Sequence, residues 1–216
     1  MSNDSDLQKS VMAELTWEPS VTAAHIGVTA KNGVIALSGH VESYAQKHAA
    51  EVAVTRVKGV KAVAEELEVR LPVDAMRSDD GIATAAVERL SWDVSVPRDA
   101  VKVKVEKGWV TLSGQVDWYF QKDLAGQDIR RLVGVKGLSN LLTIKPKVDA
   151  KHISADITHA LHRTWFYEPN KVSVSASGGH VKLSGHVETY YDRETAENTA
   201  WAAAGVTGVE NDIVIN

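Results

Sequence analysis

Residues 37–44 read LSGHVESY, residues 112–119 read LSGQVDWY and residues 183–190 read LSGHVETY. The offsets are 75 (37 to 112) and 71 (112 to 183). A period that long exceeds a solenoid repeat, so each copy marks a small domain.

Working outward, the register holds on both sides. Upstream, Leu15, Leu90 and Leu161 each precede their LSG leucine by 22 residues. Leu7, Val11 and Leu15 stand four apart, as do Ile82, Ala86 and Leu90, and Ile153, Ile157 and Leu161. That spacing predicts an opening helix in every unit. Asp4 and Asp79 fall where an N-cap or first-turn acid is favourable.

Alternation follows. Ile26, Val28 and Ala30 match Val101, Val103 and Val105, and Val172, Val174 and Ala176, which predicts a strand. Asn32-Gly33, Lys107-Gly108 and Gly178-Gly179 supply a tight hairpin turn. A second strand then runs through Ile35 and Leu37, Val110 and Leu112, and Val181 and Leu183. Gly39, Gly114 and Gly185 are expected to end it, permitting a bend or close backbone approach. Val41, Val116 and Val187 are expected in the core, with Tyr44, Tyr119 and Tyr190 in the first turn of a second helix. That helix spans about 42–57, 117–132 and 188–203, and Gly59, Gly134 and Gly205 close it as C-cap glycines. The segments LEV (67–69), LTI (142–144) and IVI (213–215) predict a third strand.

Each unit therefore reads αββαβ. The fold class is α+β: three tandem αββαβ domains, each a three-stranded mixed sheet covered on one face by two helices. The domains are 1–73, 74–147 and 148–216, with Pro72 and Pro146 in short linkers.

The composition narrows the function. The net charge is -4, distributed as -2, +2 and -4 over the three domains, so only the middle one is basic. This balance argues against nucleic acid, which needs a basic surface. No cysteine is present, which removes disulfides and thiolate chemistry. The start, MSNDSDLQKSVMAEL, has no basic region followed by an apolar run, so the chain reads as cytoplasmic as written and periplasmic only if a signal sequence was removed.

At this point the pattern resembles three tandem BON (bacterial OsmY and nodulation) domains. The family's central glycine matches Gly39, Gly114 and Gly185. Its second hallmark, Gly-Val leading to Asn, matches Gly134-Val135 to Asn140 and Gly205-Val206 to Asn211; the first unit has Glu65 in place of that Asn. The resemblance implies the αββαβ fold and a non-enzymatic binding module. It also implies a link to osmotic stress, with phospholipid at a membrane surface as the ligand.

The residues offer little chemistry beside this. His40 and His186 share a motif position with Gln115, which is no general base. His152, Asp156 and His159 have helical spacing suited to a metal, against the reading of a solvated helix flank. No cofactor, metal or enzyme activity is expected. Trp17, Trp92 and Trp165 are expected to pack against the core edge, and Trp109 to stand partly exposed beside its turn. The candidate lipid- or partner-binding set is Trp118, Tyr119 and Phe120 with Lys122, Arg130 and Arg131 on the same helix. The opposing reading packs those aromatics against a neighbouring domain. Two functions follow: a peripheral phospholipid-binding module, or a protein-interaction scaffold without lipid affinity.

Overall fold

The apolar spacing of each opening helix becomes its buried stripe. The computed structural model describes residues 2–146, 152–163 and 171–215. Domain 1 runs α1 (Ser2–Trp17), β1 (Ile26–Lys31), β2 (Val34–Val41), α2 (Tyr44–Thr55) and β3 (Ala62–Val69). Domain 2 runs α3 (Asp79–Trp92), β4 (Val101–Glu106), β5 (Trp109–Val116), α4 (Tyr119–Arg130), β6 (Gly137–Asn140) and β7 (Thr143–Ile144). Domain 3 runs α5 (Ile153–His162), β8 (Val172–Ser177), β9 (His180–Val187), α6 (Tyr190–Trp201) and β10 (Gly208–Ile215).

In each domain the hairpin pairs antiparallel and the crossover strand pairs parallel with its second strand, giving a mixed sheet. The turn residues adopt left-handed φ at both central positions: 53° and 83° at Asn32 and Gly33, 54° and 81° at Lys107 and Gly108, 57° and 87° at Gly178 and Gly179. That is the hairpin turn whose twist matches the strands. The helices cover one face of each sheet, and the other face is open.

Three separate cores result. Val11 and Leu15 meet Ile35, Leu37 and Val41; Ile82 and Ala86 meet Val110, Leu112 and Val116; Ile157 and Leu161 meet Val181, Leu183 and Val187. Domains of this size bury little apolar surface, so contacts between domains add usefully to stability.

The motif glycine does not end its strand, as the sequence suggested. β2, β5 and β9 run on through Gly39, Gly114 and Gly185 to the core valine. Glycine is required there because φ is 109°, 129° and 139°, and a Cβ would strike the carbonyl oxygens of His25, Ala100 and Lys171. The strand bends over the chain entering the hairpin and keeps pairing.

Asp4 and Asp79 sit in the first turns of α1 and α3, and both clasp the hairpin tip. Asp4 Oδ1 accepts from the Asn32 backbone at 2.9 Å. Asp79 accepts from the Lys107 and Gly108 backbones at 2.7 and 2.8 Å. Ser78 provides the actual N-cap of α3.

The Asn hallmark also has a local cause. Asn140 Nδ2 donates to the Lys122 carbonyl while its Oδ1 accepts from the Leu142 backbone. Asn211 does the same with Arg193 and Ile213. Glu65 accepts from the Leu67 backbone at 3.0 Å and pairs with Lys47 at 2.9 Å. Glutamate thus keeps the acceptor half of the interaction, and the lysine restores a donor to the last strand through the Leu67 carbonyl.

Candidate functional site

The three second helices are where the domains meet. Each begins at the motif tyrosine, and the residue before it caps the helix in domains 1 and 3. Ser43 Oγ accepts from the Gln46 backbone. Thr189 and Asp192 cap reciprocally. At Trp118 no hydroxyl is available, and Gln121 Oε1 reaches back to the Asp117 and Trp118 backbones at 2.9 and 3.1 Å.

Tyr44, first in α2, packs against the core of domain 2 beside Arg130, the last residue of α4. Tyr119, first in α4, stacks on Trp201, the last residue of α6. Glu188, two residues before α6, pairs with Lys58, three residues past α2, at 3.3 Å. Domains 1 and 2 thus meet domains 2 and 3 through corresponding residues, the first of one second helix and the last of the next, and domain 3 returns to domain 1 through the Lys58–Glu188 pair. The arrangement is an approximately cyclic ring around α2, α4 and α6.

This ring divides the sequence-predicted set. Tyr119 is spent on Trp201. Trp118 is half-buried at the head of α4, and Phe120 beside it is 51% exposed. Lys122 is half-buried, and that burial lowers its pKa below the usual lysine range. Arg130 is half-buried beside Tyr44, and Arg131 is exposed past the helix end. Phe120 and Arg131 reach solvent while the others lie at or near the ring, so the six do not form one open surface. Gly59, Gly134 and Gly205 all take positive φ just past the second helices, as C-cap glycines do.

The opening-helix tryptophans depart from expectation in the other direction. Trp17 is 83% exposed and Trp92 is 82% exposed. They end α1 and α3, two residues beyond Leu15 and Leu90, the last buried residues of the stripe, so their side chains point off the core edge rather than onto it. Trp165 lies outside the described residues. Around Trp92, Val94 is fully exposed and Val87 is largely so, with Arg89 and Arg98 nearby in the chain. Sequence reading missed this patch because a tryptophan at a helix end reads as core-edge packing.

The same internal comparison exposes a groove. Arg56 pairs with Glu14 and Glu18 between α1 and α2, at 3.1 and 2.8 Å. Arg89 pairs with Asp128 between α3 and α4, at 2.7 Å. The positions of Arg89 and Asp128 correspond to Ala160 and Thr199 in domain 3. Without those long side chains α5 and α6 leave a cavity of about 620 Å³, lined by Ala160, Thr199, Ala202 and Tyr191 with Asp156 and Arg163.

Among the described residues, the candidate catalytic and metal-binding side chains do not come together. His40 stacks on His25 with ring centroids 4.6 Å apart. Among the described residues, no grouping of three histidine or carboxylate side chains suits a metal. Among those residues, too, no helix is long and apolar enough to cross a membrane.

Comparison with known proteins places this geometry. The BON domain family model matches residues 3–70, 78–146 and 149–216. The Osmotically-inducible protein Y of Escherichia coli (strain K12) is 33% identical over 147 residues, 66% of this chain and 73% of that protein. The C-terminal domain of CdsD, a structural protein of the Type III secretion system of Chlamydia trachomatis, aligns over 98% of both chains at 19% identity, with a TM-score of 0.28.

Proposed function

The chain belongs to the BON-domain family as three tandem copies of the domain, and on that premise we propose that it is a stress-related binding protein that contacts anionic phospholipid at a membrane surface and catalyses no reaction. Its similarity to an osmotically inducible protein supports the stress-related part. The observation that carries the lipid part is the exposure of Trp17 and Trp92 at equivalent helix ends. An indole left in water forfeits the gain of burial, and the headgroup region accepts its amphipathic ring. The two indoles hold equivalent places at the ends of α1 and α3, and the lipid reading has both of them enter the headgroup region. Domain 2 adds the basic charge, with Arg89 and Arg98 near Trp92 in the chain. Non-catalytic action is supported by Gln115 standing where His40 and His186 stand.

Flotation with phosphatidylglycerol and phosphatidylcholine vesicles tests this at low and physiological salt. Binding to the anionic vesicles is expected, weakened by salt and lost in Trp17→Ala/Trp92→Ala. Phe120→Ala and Arg130→Ala/Arg131→Ala report on the second helix of domain 2, the surface singled out by sequence. Loss there with retention in the tryptophan pair moves the contact to α4. Absence of binding to either vesicle overturns the lipid reading. The cavity between α5 and α6 supports the second reading, a protein-interaction scaffold.

A further inference from the structure

The open face of the domain 2 sheet carries a fixed aromatic platform. Trp109, Thr111, Ser113 and Gln115 alternate with the core residues Val110, Leu112 and Val116, so they point away from the helices. Trp109 lies opposite Glu106 on β4 and Gly137 on β6. Thr111 lies between Lys104 and Ser139. The indole extends along β6, and its Nε1 donates to Ser139 Oγ at 2.9 Å.

Gly137 makes this geometry possible. A Cβ on Gly137 would fall within the indole ring itself. Its φ is not left-handed, so backbone conformation does not call for glycine there. The glycine seats the ring against the backbone, and Ser139 fixes its rotation. The opposite face of the indole looks to solvent, and the residue is 50% exposed. Domain 3 repeats the device with His180 over Gly208. Domain 1 has Val34 and Ala62 at these positions and no ring.

A flat, preorganised π-face surrounded by short hydroxyl side chains matches one ligand class in particular. A pyranose ring presents an apolar C–H face to stack and a rim of hydroxyls to hydrogen-bond. Thr111 and Ser139 supply hydroxyls beside the platform, and Ser113 and Gln115 stand farther along the same strand face, about 13 and 20 Å away. A nucleobase would stack equally well, but its phosphates need cations along the strand. Lys104, in register with Thr111, is already paired with Glu106 at 3.0 Å, which leaves Lys102 opposite Ser113 as the other β4 cation on this face, too few to track a phosphate backbone. We propose that the open sheet face of domain 2 binds a pyranose-containing glycan, with Trp109 as the stacking platform. This site is separate from the helix-end tryptophans of the lipid reading.

The test is a titration of the ¹⁵N-labelled full chain with two neutral probes, the N-acetylglucosamine tetramer and cellotetraose, followed through indole N–H resonances and, in the Trp109 variants, through the backbone amides of Thr111 and Ser139. The Trp109 resonance is assigned by its disappearance in Trp109→Tyr. A saturable shift of that resonance with at least one probe is expected. Affinity should fall about tenfold or more in Trp109→Ala, the scale of one aromatic contact. Trp109→Tyr keeps a flat ring and should retain binding, which guards against misfolding of the alanine variant. Gly137→Ala lifts the indole and should weaken binding, whereas Gly208→Ala should not. Vesicle flotation should be unchanged in Trp109→Ala, so failure here and failure of the lipid reading are distinguishable. No shift with either sugar up to about 10 mM overturns the proposal. So does binding unchanged in Trp109→Ala, or a shift caused by an oligothymidylate and by neither sugar.

Discussion

The rings of Tyr119 and Trp201 stack with centroids 4.7 Å apart and planes 13° from parallel, joining the first residue of α4 to the last of α6. Tyr44, the first residue of α2, likewise lies near Arg130, the last of α4. The motif that recurs along the chain therefore has two halves with different work. Its glycine shapes the strand inside each domain, and in the first two copies its tyrosine ties that domain to the next.

Removing the stack should loosen one seam selectively. Trp201 packs against the cores of domains 2 and 3 as well as on Tyr119. An aromatic pair contributes about 0.5–1.5 kcal/mol beyond the area it buries. Trp201→Ala should therefore lower the unfolding temperature and enlarge the radius of gyration measured by small-angle scattering. An unchanged radius would show that the ring holds without this contact.

The two seam tyrosines should make the ring sensitive to alkali. Burial raises the phenol of Tyr44, offset in part by Arg130. Burial raises that of Tyr119, reinforced by Asp123, Glu197 and Glu194. The folded chain holds both protons more tightly than the unfolded chain, whose phenols titrate near the ordinary value of about 10. Their contribution is fully present below that pH and is lost as pH rises through the higher folded values. Denaturant unfolding from pH 8 to 11.5 should show stability falling above about pH 10. The fall should be shallower in Tyr44→Phe/Tyr119→Phe. Parallel curves for the two proteins would refute the assignment.

The fold of each domain was legible because its signals are local. Leu7, Val11 and Leu15 announce one helix face, and Asn32-Gly33 announces the turn, with no need of distant residues. The LSG glycine was only half legible, since a φ above 100° permits either a strand end or a bend. Its role depends on the His25, Ala100 and Lys171 carbonyls that the fold brings beneath it. The candidate surface was harder still. Trp118, Tyr119 and Phe120 are adjacent in sequence, yet one heads the helix, one meets another domain and one reaches solvent. Which neighbour covers a helix face is a long-range fact. The platform at Trp109 did leave a trace, a glycine in the third strand of domain 2, but the trace is readable only once Gly137 is known to lie opposite Trp109.

Domain 3 shows how the buried ion pair of domain 2 can be removed without penalty. Asp128 is only 8% exposed, and Arg89 holds its carboxylate through Nε at 2.8 Å and a terminal nitrogen at 2.7 Å. Arg89→Ala strands that carboxylate, and since Arg89 is itself half exposed the cost should be about 1–3 kcal/mol, below that of a fully buried pair. Arg89→Ala/Asp128→Thr copies Ala160 and Thr199 of domain 3 and should recover most of the loss. Urea unfolding of the single and double variants measures the difference. A double variant as unstable as the single one would mean the arginine contributes by packing rather than by charge.

Two glycines with the same left-handed sign of φ should respond in opposite ways to substitution. Gly178 has a φ of 57°, and nothing lies within 4 Å of where its Cβ would be. The equivalent positions carry Asn32 and Lys107 at 53° and 54°. Gly178→Asn should therefore fold normally and be neutral, or more stable by about 0.5 kcal/mol through a less flexible unfolded chain. Gly114 has a φ of 129°, and its Cβ would meet the Ala100 carbonyl oxygen, a backbone atom that cannot rotate away. Gly114→Ala should cost about 3 kcal/mol or more, enough to unfold a domain of this size at moderate temperature. Amide hydrogen exchange of the full chain locates the damage. Protection should vanish across β4, β5 and α4 while β1 to β3 keep theirs. If Gly114→Ala retains protection in domain 2, the strand can bend without glycine, and the recurring LSG must be explained by something other than this approach.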